Sequence, residues 1–124
     1  MQQETQTNRA VGRCFCGAIA FAIEFPTNWV VHCHCPTCRF SQAAAFTTWV
    51  SVDASRAIIQ APRRVLRWYN QSDHAQRGFC SRCGSSLFFR SENYPNELHI
   101  ALASFLTPID RKPKLHAYYD QHVD

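Results

Sequence analysis

Seven cysteines fall into three short groups: Cys14 and Cys16; Cys33, Cys35 and Cys38; Cys80 and Cys83. Spacings of two and three residues let one turn present several sulfurs to a single ion. Thiolate-only sites of this kind suit zinc, with iron as the other ion they accept. The count is odd, and the polar segment 1–9 carries no apolar run of a secretory signal. A disulfide framework is therefore a poor fit, and a cytoplasmic chain is the expectation. Seven divides as four plus three. Four thiolates close a structural site, whereas three leave a coordination place free for water or substrate, as catalytic zinc requires. The alternative is one zinc and three spare thiols. A zinc joining Cys14 and Cys16 to Cys80 and Cys83 would tie distant parts of the chain together and contribute strongly to folding. The 33–38 cluster closes only a six-residue loop. Its stabilising effect would be small, which points to another purpose.

Other side chains extend the chemistry. His32 and His34 flank Cys33, and in an extended segment the His34 side chain points away from both neighbouring cysteines. It reads as a packing or hydrogen-bonding neighbour, with ligation at the fourth position as the second choice. His99 and His116 lie in strand-like segments and read as surface or satisfied core; His74 and His122 give no signal. Arg39 follows the knuckle and Arg77 precedes Phe79 and Cys80, so either could clamp a carboxylate or be a solvated strand-end cation. Trp49, Trp68, Tyr69 and Phe46 could wall a pocket, although aromatics at strand spacing usually form core.

The elements that must position these groups are mostly strands. Residues 18–25 alternate, with Ile19, Phe21, Ile23 and Phe25 on one side. Segments 29–33, 44–52, 58–59, 65–69, 86–90, 98–103 and 115–119 are further strands, eight or nine in all. Residues 35–38 and 78–83 read as knuckles, with Gly84 placed for a positive backbone angle. Residues 53–57 are the one place a short helix could start. The 124 residues make one domain, with 1–10 a flexible tail and 11–124 a zinc-binding β domain. Hydrophobic residues at 46% give enough apolar surface for a core, and no run is long enough for a membrane helix. The formal charge of +4 overstates the basicity: seven thiolates subtract seven and two zinc ions add four, leaving +1. The corrected charge argues against a nucleic-acid partner, and Arg63, Arg64 and Arg67 fit a solvated strand edge.

The segments Gly12-Arg13-Cys14-Phe15-Cys16-Gly17, Cys33-His34-Cys35-Pro36-Thr37-Cys38-Arg39 and Arg77-Gly78-Phe79-Cys80-Ser81-Arg82-Cys83-Gly84 occur in that order. This arrangement resembles the glutathione-dependent formaldehyde-activating enzyme family, which includes centromere protein V. The resemblance implies a β-tent, two small antiparallel sheets pinned by metal. It also implies two zinc ions per chain: Cys14, Cys16, Cys80 and Cys83 as structural ligands, Cys33, Cys35 and Cys38 as ligands of a catalytic one. The implied reaction is addition of glutathione to formaldehyde, a carbon–sulfur lyase in reverse, with a small-molecule thiol and aldehyde as partners and Arg39 and Arg77 as candidate contacts to glutathione.

Two other classes compete. One is a non-catalytic zinc module for a protein or nucleic-acid partner, favoured if His34 closes the three-cysteine site. The other is a redox enzyme resembling the B-type methionine sulfoxide reductases. That chemistry needs a nucleophilic cysteine outside the metal sites, and every cysteine here sits in a cluster. The oligomeric state and the true thiol and aldehyde stay open.

Overall fold

The computed structural model describes residues 8–124. Among these described residues ten strands run in the order β1 (Arg9–Arg13), β2 (Ala20–Glu24), β3 (Trp29–Cys33), β4 (Thr47–Asp53), β5 (Ala57–Gln60), β6 (Leu66–Asn70), β7 (Ala75–Cys80), β8 (Ser86–Ser91), β9 (Glu97–Ala101) and β10 (Leu115–Ala117). One α-helix, α1 (Pro36–Gln42), stands between β3 and β4. Three strands form a small sheet in the order β1-β2-β5, and seven form a large sheet in the order β10-β3-β4-β9-β8-β7-β6. The mostly β, two-sheet, single-domain expectation holds. The sheets are unequal in size, however, and β10 runs parallel to β3 while the other pairs are antiparallel.

The large sheet has two different faces, and the period of two along its strands creates them. Leu98 and Ile100 of β9, Phe88 of β8 and Val52 of β4 pack with Phe21 and Ile23 of the small sheet into the main core. The Phe21 ring meets Phe88 and Phe105 edge-on at 5.7 and 5.0 Å. Each such ring contributes about 2 kcal/mol by burial. The intervening residues, His99 of β9, Phe89 of β8 and Trp49 of β4, face the opposite side. Strand β4 is central and covered on both faces, so Trp49, Val50, Ser51 and Val52 are buried in an unbroken run.

Four differences from the sequence reading have local causes. Strand β1 begins at Arg9, inside the segment assigned to a tail; residues 1–7 of that tail lie outside the described residues. It pairs with β2 because Gly12 leaves room: a Cβ there would come within 2.3 Å of the Phe21 ring and 2.4 Å of the Ser104 carbonyl oxygen. The 35–38 knuckle is the start of α1. Pro36 occupies the first helical turn, where its missing N–H costs nothing, and Cys35 is the extended N-cap residue. The helix ends at Ala43 in a left-handed conformation, φ 51°. The second knuckle is shorter than expected, since Gly78, Phe79 and Cys80 belong to β7. The possible helix at 53–57 is a single 3-10 turn, Ala54–Arg56, capped by the Asp53 carboxylate, which accepts from the Ser55 N–H. Among the described residues no helix is long and apolar enough to cross a membrane.

Candidate metal centres and the adjoining cleft

The first cluster is built where the two sheets meet. Cys14 and Cys16 lie on the turn leaving β1; Cys80 ends β7 and Cys83 lies on the turn after it. Their four sulfurs lie within 4.8 Å of one another, with Cys14 to Cys16 at 3.7 Å and Cys16 to Cys80 at 3.8 Å. A tetrahedral zinc with sulfurs at about 2.3 Å has S···S edges of about 3.8 Å, so the donor set fits the ion. Backbone geometry holds the set. Arg13 Nη1 donates to the carbonyls of Cys14 and Phe15 at 3.0 and 2.8 Å, and Gly84, at φ 80°, donates its N–H to the Cys80 carbonyl at 2.8 Å. The Ile19 N–H points at Cys14 Sγ, 3.3 Å away.

The second cluster is local. Cys33 ends β3, Cys35 caps α1 and Cys38 sits in its first turn, with Cys33 Sγ 3.4 Å from Cys35 and 3.5 Å from Cys38. Two N–H donors converge on Cys38 Sγ: Trp49 Nε1 at 3.4 Å and Arg77 Nη2 at 3.7 Å. The Thr37 hydroxyl lies 3.2 Å from Cys35 Sγ. His34 is buried but turned away, its Nε2 paired with His116 Nδ1 at 2.8 Å. It packs and hydrogen-bonds, and only the three cysteines form this group among the described residues.

Electrostatics support a cation in both places. The sulfur contact with Cys33, opposed by burial and helped by Trp49, Cys35 and Arg77, holds the Cys38 thiol down to about 5, while the same contact pushes Cys33 up. In the first cluster the Ser85 hydroxyl, against desolvation, holds Cys83 down to about 5. Cys16 is pushed up to about 11 even though the Ala18 N–H favours its thiolate, because desolvation and the three neighbouring sulfurs outweigh it. Sulfurs this close cannot all ionise unless a positive ion lies among them. Both clusters could therefore hold zinc.

A cleft of about 720 Å³ opens beside the second cluster. Its walls come from the outward face of the large sheet: Trp29 and Val31 of β3, Trp49 of β4, His99 of β9, Phe89 of β8 and Arg77 of β7. Strand pairing brings them together, since Val31 is opposite Trp49, and Phe89 is opposite both His99 and Arg77. Arg77 is 5% exposed and lies over the Phe89 ring at 4.9 Å, with Nε donating to Gln71 Oε1. His99 is buried and paired with Glu97 at 2.9 Å; loss of solvent lowers its pKa against the pull of that carboxylate.

The sequence candidates separate accordingly. Arg77 and Trp49 reach the cleft. Arg39 does not line it; its Nε donates to the His34 carbonyl and its guanidinium lies over Phe40. Trp68 packs against Phe88 and carries Arg90 at 3.7 Å, Tyr69 is exposed on edge strand β6, and Phe46 stacks among His32, His34 and His116. Arg67 is on that same exposed edge. Sequence reading passed over Trp29, Phe89 and Tyr94 as cleft residues; strand alternation marks the face of the first two, but only the pairing order shows that they share a wall.

Fold and sites together define a small two-sheet β protein with a four-cysteine and a three-cysteine metal-type cluster. The chain belongs to the glutathione-dependent formaldehyde-activating enzyme family, whose model matches residues 9–121. It is 25% identical over 109 residues to a Halomonas elongata protein named for glutathione-dependent formaldehyde activation, covering 83% of this chain and 69% of that one. It is 28% identical over 89 residues to an uncharacterized lyase of Schizosaccharomyces pombe, covering 72% of this chain and 63% of the relative. A crystal structure of a Rhodobacter sphaeroides protein has the same fold, with a TM-score of 0.66, 21% identity, and coverage of 83% of this chain and 97% of that one.

Proposed function

We propose that Cys33, Cys35 and Cys38 hold a catalytic zinc at which a thiol, glutathione or one like it, adds to an aldehyde such as formaldehyde, with Cys14, Cys16, Cys80 and Cys83 holding a structural zinc. The family name and the lyase among the relatives support the reaction class. The observation that carries the reading is a trio of sulfurs, without a fourth side-chain ligand among the described residues, lying at the wall of a cleft.

When bound, the metal lowers the pKa of a thiol brought to it and polarises a carbonyl. The chain's own groups do the rest. Trp49 and Arg77 fix Cys38 by their N–H bonds, α1 fixes Cys35 relative to Cys38, and the buried Arg77 cation offsets the net negative charge of three thiolates and one divalent ion. Trp29, Trp49 and Phe89 give the reacting carbon an apolar wall. The step is redox-neutral: a carbon–sulfur bond forms as the carbonyl π bond breaks, and the thiol proton goes to oxygen.

Native mass spectrometry with a thiol–aldehyde assay tests this. Two zinc ions and turnover of glutathione with an aldehyde are expected, with one zinc and no turnover in Cys35→Ser. Full turnover in that variant would overturn the assignment.

A further inference from the structure

The cleft is far larger than a one-carbon aldehyde requires and falls in the size range of pockets for drug-sized ligands. Its wall is a continuous run of rings. His99 lies 4.7 Å from Trp29, 5.7 Å from Phe89 and 5.1 Å from Tyr94, and Phe89 lies 6.1 Å from Trp49, centroid to centroid. His99 in the middle of that run is buried with its pKa lowered, so it adds an apolar-edged ring rather than a charge. Among the described residues Arg77 is the one Lys, Arg, Asp or Glu lining the cleft; its Nη2 faces Cys38, its Nε faces Gln71 and its plane covers the Phe89 ring, which leaves only the buried Nη1 without a partner. Two carboxylates and an ammonium, as glutathione carries, would meet a single cation and no carboxylate among the described residues inside.

Resting on the reading of the three-cysteine cluster as the reacting centre, we infer that the cleft receives the carbonyl partner and that this partner carries an aromatic ring. The ring lies against Trp29, Phe89 and Tyr94 while the carbonyl carbon reaches the sulfurs of Cys33, Cys35 and Cys38. The charged body of the thiol remains in solvent at the mouth. Formaldehyde would make none of the ring contacts. An aryl-substituted aldehyde makes them all.

Phenylacetaldehyde and acetaldehyde differ by the ring alone, so their ratio of kcat/KM with glutathione, on zinc-loaded protein, isolates its contribution. The ratio is expected to favour phenylacetaldehyde by at least about tenfold, and to fall toward one in Tyr94→Ala and in Trp29→Ala. Circular dichroism and zinc count verify that both variants fold. Binding is read separately with 2-phenylethanol, which cannot react: it should quench the emission of Trp29 and Trp49 in the wild type and bind at least about fivefold more weakly in Tyr94→Ala, with ethanol silent. If no aldehyde turns over but 2-phenylethanol binds with that variant dependence, the aromatic cleft stands and the thiol–aldehyde reading falls. If phenylacetaldehyde gains nothing over acetaldehyde and 2-phenylethanol leaves the emission unchanged, the inference is overturned.

Discussion

The two cysteine clusters use the same ligand type for opposite mechanical ends. Cys14, Cys16, Cys80 and Cys83 join the small sheet to the large one, and Cys14 and Cys80 are part of the main core. Cys33, Cys35 and Cys38 belong to one strand end and the helix after it, and pack in a separate cluster with Trp49. The first brings together segments that the chain separates widely. The second adds almost no loop closure and instead faces a cleft. On the function proposed above, the position of a cysteine cluster in the topology, more than its chemistry, would divide structural from reactive duty.

The contrast breaks most visibly at Cys80, which is fully buried. Cys80→Ser should leave a chain that does not fold, because structural zinc supplies on the order of 10 kcal/mol and a domain of this size has about 5–15 kcal/mol in total. Far-UV circular dichroism and thermal melts would read it, and a cooperative melt near the wild-type temperature would contradict the structural assignment. Cys35→Ser, by comparison, should keep the fold and one zinc while thiol–aldehyde turnover falls at least about 100-fold. A smaller effect sharpens the second site: Trp49→Phe removes the donor on Cys38 Sγ and should weaken zinc retention there about tenfold in chelator competition, with the first site unaffected.

The smallest effect is a pH dependence on the cleft side. His99 is held below its usual 6.5 chiefly by burial. The unfolded chain takes up a proton near pH 6.5 that the folded chain refuses, so this contribution to stability is complete above that pH and is lost as pH falls below it. Melting at pH 5.5 should come roughly 3 °C lower than at pH 7.5 from this group, and His99→Gln should flatten that part of the slope. Zinc content followed in parallel separates it from acid release of metal.

Which of these features could be read before the structure follows from how local each is. The split of seven sulfurs was legible because the ligands come in pairs and a trio only two or three residues apart. The alternation of β2 was legible for the same reason. Helix α1 was hidden: seven residues behind a cysteine-proline pair look like a knuckle, and the favourable fit of Pro36 to a first helical turn shows only once the turn exists. Strand β1 was hidden because Ala10 and Gly12, small and weakly apolar, do its inward packing. The cleft was least legible. Trp29, Trp49, His99, Phe89 and Arg77 come from five strands whose order in the sheet, β3-β4-β9-β8-β7, is not their order in the chain. Arg39, next to the trio in sequence, does not line the cleft, whereas Arg77, near Cys80 in sequence, reaches the cleft and Cys38.

The alternation along β4, β8 and β9 has a consequence for engineering. Neighbouring residues such as Phe88 and Phe89, or His99 and Ile100, serve different surroundings, one the main core and one the cleft. A library confined to Trp29, Phe89 and Tyr94 would vary the cleft wall while leaving the main core between the sheets untouched.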